Sequence, residues 1–207
     1  DISTFGSQIV GIRLSQLNAD FSQPINASNT TTTVTASGTV TQASGAVTIA
    51  SGTTATSSAK LNSNQSTTYA PGREIFAMFT AGFTTPTSSA SEQRIGIYDA
   101  NNGFFVGYHG TTFGVTVRNN GSDTFIPQSS FNGDVLAGNV ASAFTRGGVP
   151  EGLNNTLKNV YRIRYGWLGA APIKFEVLSP DDTWVTFHTI RQPNTSATPS
   201  IQNPSLP

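Results

Sequence analysis

Few side chains in this 207-residue sequence have the reactivity to do chemistry, and they are scattered. There are two histidines, His109 and His188, eleven acidic residues and no cysteine. Serine is abundant enough to pair with either histidine, but no Gly-x-Ser-x-Gly elbow is present to raise one as a nucleophile. Glycoside hydrolysis needs two carboxylates facing each other across a cleft. Glu74, Asp99 and Glu151 stand where loops could aim them, whereas Glu176 alternates with Lys174 as on a solvated strand face. The lack of cysteine excludes disulfides, thiol catalysis and cysteine-bound zinc. Asp99-Ala-Asn-Asn-Gly103 and Asp181-Asp182 offer oxygen atoms that calcium would accept. However, Gly110 occupies the place of an EF-hand glutamate, and turn formation accounts for both clusters. The expectation is therefore a chain that is not an enzyme and has no metal or cofactor.

Binding chemistry has more candidates. Tyr98, Tyr108 and Trp184, with Asn101, Asn102 and His109 near them in sequence, are the residue types with which a sandwich lectin holds a sugar. A ring stacks on the pyranose while amides bond its hydroxyls. Core packing is the default assignment for the same rings. Arg162 and Arg164 share a strand face and could clamp an anion, with a surface or inter-subunit ion pair as the default. By strand parity His188 lies with Trp184 and Ile190.

The elements that must position these groups are strands. Tyr161, Ile163, Tyr165 and Trp167 fall on one parity, and Ile173, Phe175 and Val177 alternate with Lys174 and Glu176. Trp184 to Ile190 follows after Ser179-Pro180-Asp181-Asp182, a turn sequence. Such alternation marks half-buried antiparallel strands. Further upstream, Pro71-Gly72 turns into a long apolar strand carrying Ile75, Ala77, Phe79, Ala81 and Phe83 on one face and Phe76 and Met78 on the other. That strand is expected to be central and buried on both sides. A four-strand meander should follow, with turns at Asp99–Gly103, His109–Thr111 and Asn119-Asn120-Gly121. Residues 127–157 read as a loop that tucks Phe131, Val135, Leu136 and Phe144 inward, with a short helical turn near Leu153 capped by Asn154 or Asn155.

The front of the chain differs in kind. No Asp, Glu, Lys, Arg or His occurs between Asp20 and Lys60, and the tract is rich in Thr, Val and Gly. Short β-branched runs separated by glycines favour strands over a disordered linker, and edges so free of charge should be paired or covered. Gln8, Val10, Ile12 and Leu14 suggest an N-terminal strand donated to a neighbour. Residues 1–30 are accordingly expected to form an arm, and residues 31–207 a β-sandwich ending in a proline-rich tail from about residue 192. Asp1 is expected to be a processed or trimmed start, and Pro207 to truncate a longer polypeptide.

Charged residues make up 11% of the chain, with acids and bases balanced at eleven each. Ordinary soluble domains carry roughly 25%. Nothing favours nucleic acid or an anionic membrane, and no apolar run approaches the ~20 residues that span a bilayer.

Tyr69 to Arg73, Arg94 to Phe105 and Tyr161-Arg-Ile-Arg-Tyr-Gly-Trp-Leu-Gly169, continuing through Phe187-His-Thr-Ile-Arg191 to Pro204-Ser-Leu-Pro207, resemble motifs of virion proteins. The family comprises β-sandwich structural proteins of tailed phages and some large DNA viruses. The likeness covers roughly Tyr69 to Pro207. It implies an antiparallel jelly-roll sandwich similar to concanavalin-like and laminin-G-like domains. It also implies a homo-oligomeric role in the virion as fibre, appendage or decoration, with itself, other virion proteins and a host-surface glycan as partners. No catalytic residue is carried over. The alternative is a secreted carbohydrate-binding, lectin-like module.

Overall fold

A computed structural model describes residues 15–70, 73–166, 171–192, 194–195 and 197–207. The expected N-terminal strand, the Pro71-Gly72 turn and Trp167 lie outside the described residues. The protein is all-β and antiparallel, and its described residues fall into two compact units that meet in sequence at Tyr69. The boundary expected near residue 30 is not where contacts thin. Residues 31–68 gather among themselves because their strands pair with one another.

The front unit holds four strands. β1 (Thr30–Thr35) pairs with β4 (Ser58–Ser63), and β2 (Thr39–Ala43) pairs with β3 (Ala46–Ala50). The second pair closes through Ser44 at φ 52° and Gly45 at φ 75°, the doubled left-handed geometry that joins strands with a two-residue loop. The uncharged tract is thus strand, as its Thr and Val content suggests. Among residues 15–68 no apolar side chain is buried.

The second unit is a sandwich of two four-stranded sheets. One contains β5 (Ile75–Ala81), β12 (Asn159–Tyr165), β13 (Ile173–Leu178) and β14 (Trp184–Ile190), in the order β14-β13-β12-β5. The other is the expected meander, β6 (Glu92–Tyr98), β7 (Gly103–His109), β8 (Thr112–Asn119) and β9 (Ser122–Pro127), paired in sequence order. The β8–β9 turn is the predicted Asn120-Gly121, both at positive φ. The strand order establishes an antiparallel sandwich and not the specific jelly-roll winding. β5 joins the later strands through β12, at the end of its sheet among the described strands. It is therefore neither central nor buried on both sides, and Met78 on its outer face is 51% exposed.

Alternation places Tyr161, Ile163, Tyr165, Ile173, Phe175 and Val177 on the inner face of one sheet. Phe104, Val106, Phe113 and Val115 occupy the inner face of the other, and all are buried. Aromatic rings meet across the interior. Phe104 lies 4.9 Å from Tyr165, and Phe83 touches Tyr108, Phe113 and Tyr161 at 6.0–6.2 Å. Tyr161 satisfies its hydroxyl by donating to Asn155 Oδ1 at 3.1 Å. On the outer face of the meander the Phe125 ring covers Gly114, where an added Cβ would sit 2.7 Å from ring carbons.

The long loop behaves as expected in burying Phe131, Leu136 and Phe144. Asp134 organises it, accepting bonds from the Leu136, Ala143 and Phe144 amides and from the Ser142 hydroxyl. Two short strands, β10 (Thr145–Arg146) and β11 (Val149–Pro150), close its far end. The helical turn expected near Leu153 is instead a hydrogen-bonded turn, with Asn154 Oδ1 accepting from the Thr156 amide. The proline-rich tail docks on the sandwich. Ile201 and Leu206 are fully buried, and Asn203 donates to Asp99 at 2.7 Å.

Candidate functional site

The six residues expected to form a sugar site occupy three separate places. Tyr98, Asn101 and Asn102 sit at one end of the β6–β7 hairpin. Asn102 is buried and used structurally, since its Oδ1 accepts from the Gln202 amide and so fastens the tail. Tyr98 lies against Phe105 at 4.7 Å, while Asn101 is exposed. Tyr108 and His109 are at the other end of β7, roughly 20 Å away along a seven-residue strand. Tyr108 packs edge-on to Phe83 and Phe113, whereas His109 is exposed, bonded to Glu92 at 3.1 Å and near the Phe125 ring. Trp184 is on the outer face of the other sheet, with the Arg162 guanidinium 4.0 Å above its ring. No single ligand of monosaccharide size spans these groups.

The carboxylates are likewise engaged apart from one another. Glu74 binds Arg164 in two bonds, Glu151 binds Arg146, and Asp99 accepts from the Asn101 and Asn102 amides. Asp181 accepts from Thr145 and from the Gly147 and Gly148 amides. On the meander's outer face Asp123 bridges Arg94 and Arg118. The Arg118 bond, followed by Arg94, holds its carboxyl at about 2 despite partial burial.

Glu176 departs from the solvated face expected for it. It is buried on the outer face of β13 and held by Arg162 at 2.6 Å, with Arg164 at 3.6 Å. Arg164 in turn grips Glu74 at 2.6 Å, so Glu176, the two arginines and Glu74 form one buried network. Burial pulls the Arg164 guanidinium down, but the bond and charge of Glu74, with those of Glu176, more than reverse it. The arginines are therefore a structural pair and not a free anion clamp.

A different place in the sandwich has the character of a binding site. A bulge opposite Phe175/Glu176 inserts one extra residue in β14, so that Glu176 pairs with Thr186 and Phe175 with His188. The bulge reverses the side-chain parity along the strand. Trp184 and Thr186 face outward to Arg162 and Glu176, whereas Phe187 and His188 both contact the inward Phe131 and Phe175 rings. The face that parity assigned to His188 and Trp184 together is thus divided between the two sides of the sheet.

His188 opens onto a cleft of about 480 Å³ between the two edge strands β9 and β14. Val117, Asn119, Thr124 and Ile126 form one wall, Thr189, Ile190 and Gln192 the other, and Thr198–Ser200 of the tail lie across it. No Asp, Glu, Lys or Arg lines this cleft. Asn119 Oδ1, His188 Nδ1 and Gln192 Oε1 are the buried side-chain polar atoms without a partner among the described residues, and all three residues line it. Leaving such an atom unbonded costs about 1–3 kcal/mol. Three in one cleft mark a place where polar groups are held ready for something else.

No protein-family model, curated protein or solved structure matches this chain. Burial lowers the His188 pKa from its usual 6.5, so the imidazole is neutral at physiological pH. The unfolded chain takes up a proton on this histidine before the folded protein does. Stability should accordingly be full above about pH 7 and decline as the pH falls through 6.5. Thermal unfolding at pH 7.5 and 5.0 checks this, and the His188→Gln variant should show a smaller drop than the parent.

Sequence parity alone missed this site. Asn119 reads as a turn residue and His188 as a neighbour of Trp184, and only the bulge and the docked tail bring the two together.

Proposed function

We propose that this chain is a non-enzymatic structural subunit of a virion, of the fibre, appendage or decoration kind. In this reading it works as a homo-oligomer in contact with other virion proteins and with a host-surface glycan. The supporting observation is the front unit. No apolar side chain is buried among residues 15–68, Val34 and Ile49 are each 49% exposed, and Lys60 is the one charged residue on its four strands. Isolated two-stranded sheets are marginal in water, and uncharged edges pair readily. Burial against neighbouring copies would stabilise them, and specific interfaces of this kind exceed roughly 1,000 Å². The resemblance of the Tyr69–Pro207 motifs to virion proteins points the same way.

Light scattering of the full chain at micromolar concentration should report a multimer. The double replacement Val34→Lys/Ile49→Lys, which places charge on the exposed strands, should shift the population toward monomer. A monomer in the parent protein would count strongly against this reading.

A second reading, a secreted carbohydrate-binding module, draws on the neutral cleft beside β14. It predicts glycan-array binding by an isolated monomer, whereas the virion reading predicts that the binding species is the oligomer.

A further inference from the structure

We propose that the cleft between β9 and β14 binds an uncharged, polyhydroxylated ligand, namely a saccharide unit, through Asn119, His188 and Gln192. Each buried partnerless atom constrains what can enter. Asn119 Nδ2 already donates to the Pro199 carbonyl at 3.2 Å, which leaves its Oδ1 to accept a bond from the ligand. Gln192 Oε1 is likewise an acceptor. His188, only 6% exposed, can donate or accept at Nδ1 according to its tautomer. The ligand must therefore supply at least two donors and a third group able to play either part. Hydroxyls meet all three demands.

The walls narrow the class further. With no charged side chain lining the cleft, a phosphate, carboxylate or ammonium would lose its hydration without gaining a counter-charge. Val117, Ile126, Ile190 and Pro199 supply apolar surface beside the polar atoms, suited to the C–H face of a pyranose. The volume of about 480 Å³ lies within the range of small-molecule sites. The aromatic residues singled out by sequence are absent from this lining. Selectivity here would thus come from hydrogen bonding rather than from ring stacking.

This inference rests on the attachment part of the proposed function and not on its assembly part. A monomeric protein would remove the oligomer and leave the cleft intact, while failure to bind sugar would leave oligomerisation untouched.

The chain has only two histidines, so the imidazole signals of His188 and His109 can be separated in a ¹⁵N-labelled full-length sample. The probes are a panel of neutral mono- and disaccharides including glucose, galactose and N-acetylglucosamine, each taken to about 50 mM so as to load a millimolar site. Inorganic phosphate serves as the charged control. At least one neutral sugar should shift the His188 signals saturably and leave those of His109 in place, and phosphate should move neither. Asn119→Ala should weaken binding roughly tenfold. Thr124→Trp fills the mouth of the cleft from an exposed position and should abolish binding without unfolding the sandwich. It carries the test if the Asn119 variant does not fold. No saturable His188 shift with any sugar would mean that ordered water alone satisfies these atoms, and the proposal falls. It falls equally if binding survives Thr124→Trp, or if phosphate binds in preference to the sugars.

Discussion

Replacing Glu176 with alanine is expected to lower the unfolding free energy of the sandwich by about 3–5 kcal/mol, the cost of breaking a buried ion pair from one side. The carboxylate is 4% exposed, and its removal leaves Arg162 without its 2.6 Å partner beneath the Trp184 ring. Thr186 loses the carboxylate to which it donates at 3.3 Å, and Arg164 loses the Glu176 carboxylate 3.6 Å away while its bond to Glu74 remains. Urea denaturation followed by circular dichroism measures the loss. A change below about 1 kcal/mol would place the pair among exposed salt bridges and contradict the buried network. Substituting Arg162, Arg164, Glu74 and Glu176 together with apolar residues of similar volume should cost much less than Glu176→Ala alone, because no charge is then stranded. The network is thus expected to act chiefly on the specificity of strand pairing. It joins β12 to β13 through Arg162 and Glu176, which are also register partners.

The double variant Ile201→Ala/Leu206→Ala should lose roughly 4–10 kcal/mol, about 2–5 for each buried aliphatic side chain truncated, with near-additivity for separated sites. Both side chains are fully buried, although they belong to a segment without regular secondary structure. The tail is held by the Gln202 amide bonded to Asn102, by Asn203 bonded to Asp99, and by Tyr165 donating to the Pro204 carbonyl. A loss of this size approaches the whole stability of an ordinary domain, so the variant should be largely unfolded at modest urea concentrations. A midpoint within experimental error of the parent would mean that the tail is dispensable to the core. Because Pro199 and Ser200 also line the cleft, an undocked tail should abolish saccharide binding as well.

The strands were legible because period-two alternation is a local property. Tyr161, Ile163 and Tyr165 announce an inner face whatever they pack against, and Asn120-Gly121 announces a hairpin through its own backbone preferences. Inward-tucked Phe131 and Phe144 were legible for a similar reason, since large apolar side chains in a polar loop have few other places to go. Position within a sheet was less legible. The Phe76/Met78 face of β5 has the composition of a buried strand, yet β5 ends its sheet among the described strands and Met78 is exposed. Glu176 is buried although it alternates with Lys174, because alternation tells which face a residue lies on, not whether that face is covered.

By itself the sequence determined an all-β antiparallel chain with a two-sided core, a four-strand meander, a proline-rich tail and an uncharged, strand-forming front. Each of these follows from side-chain size, branching and turn chemistry over a few neighbouring residues. Only the tertiary structure decided that His188 turns inward while Trp184 turns outward, and that Asn119 and Gln192 meet it in one cleft. A bulge is an extra residue in one strand relative to its partner, so it exists only once the register between β13 and β14 is formed. The cleft likewise needs β8, β9, β14 and a tail that are up to 83 residues apart in the chain, from Val117 to Ser200, to close on one another. No local pattern carries that information.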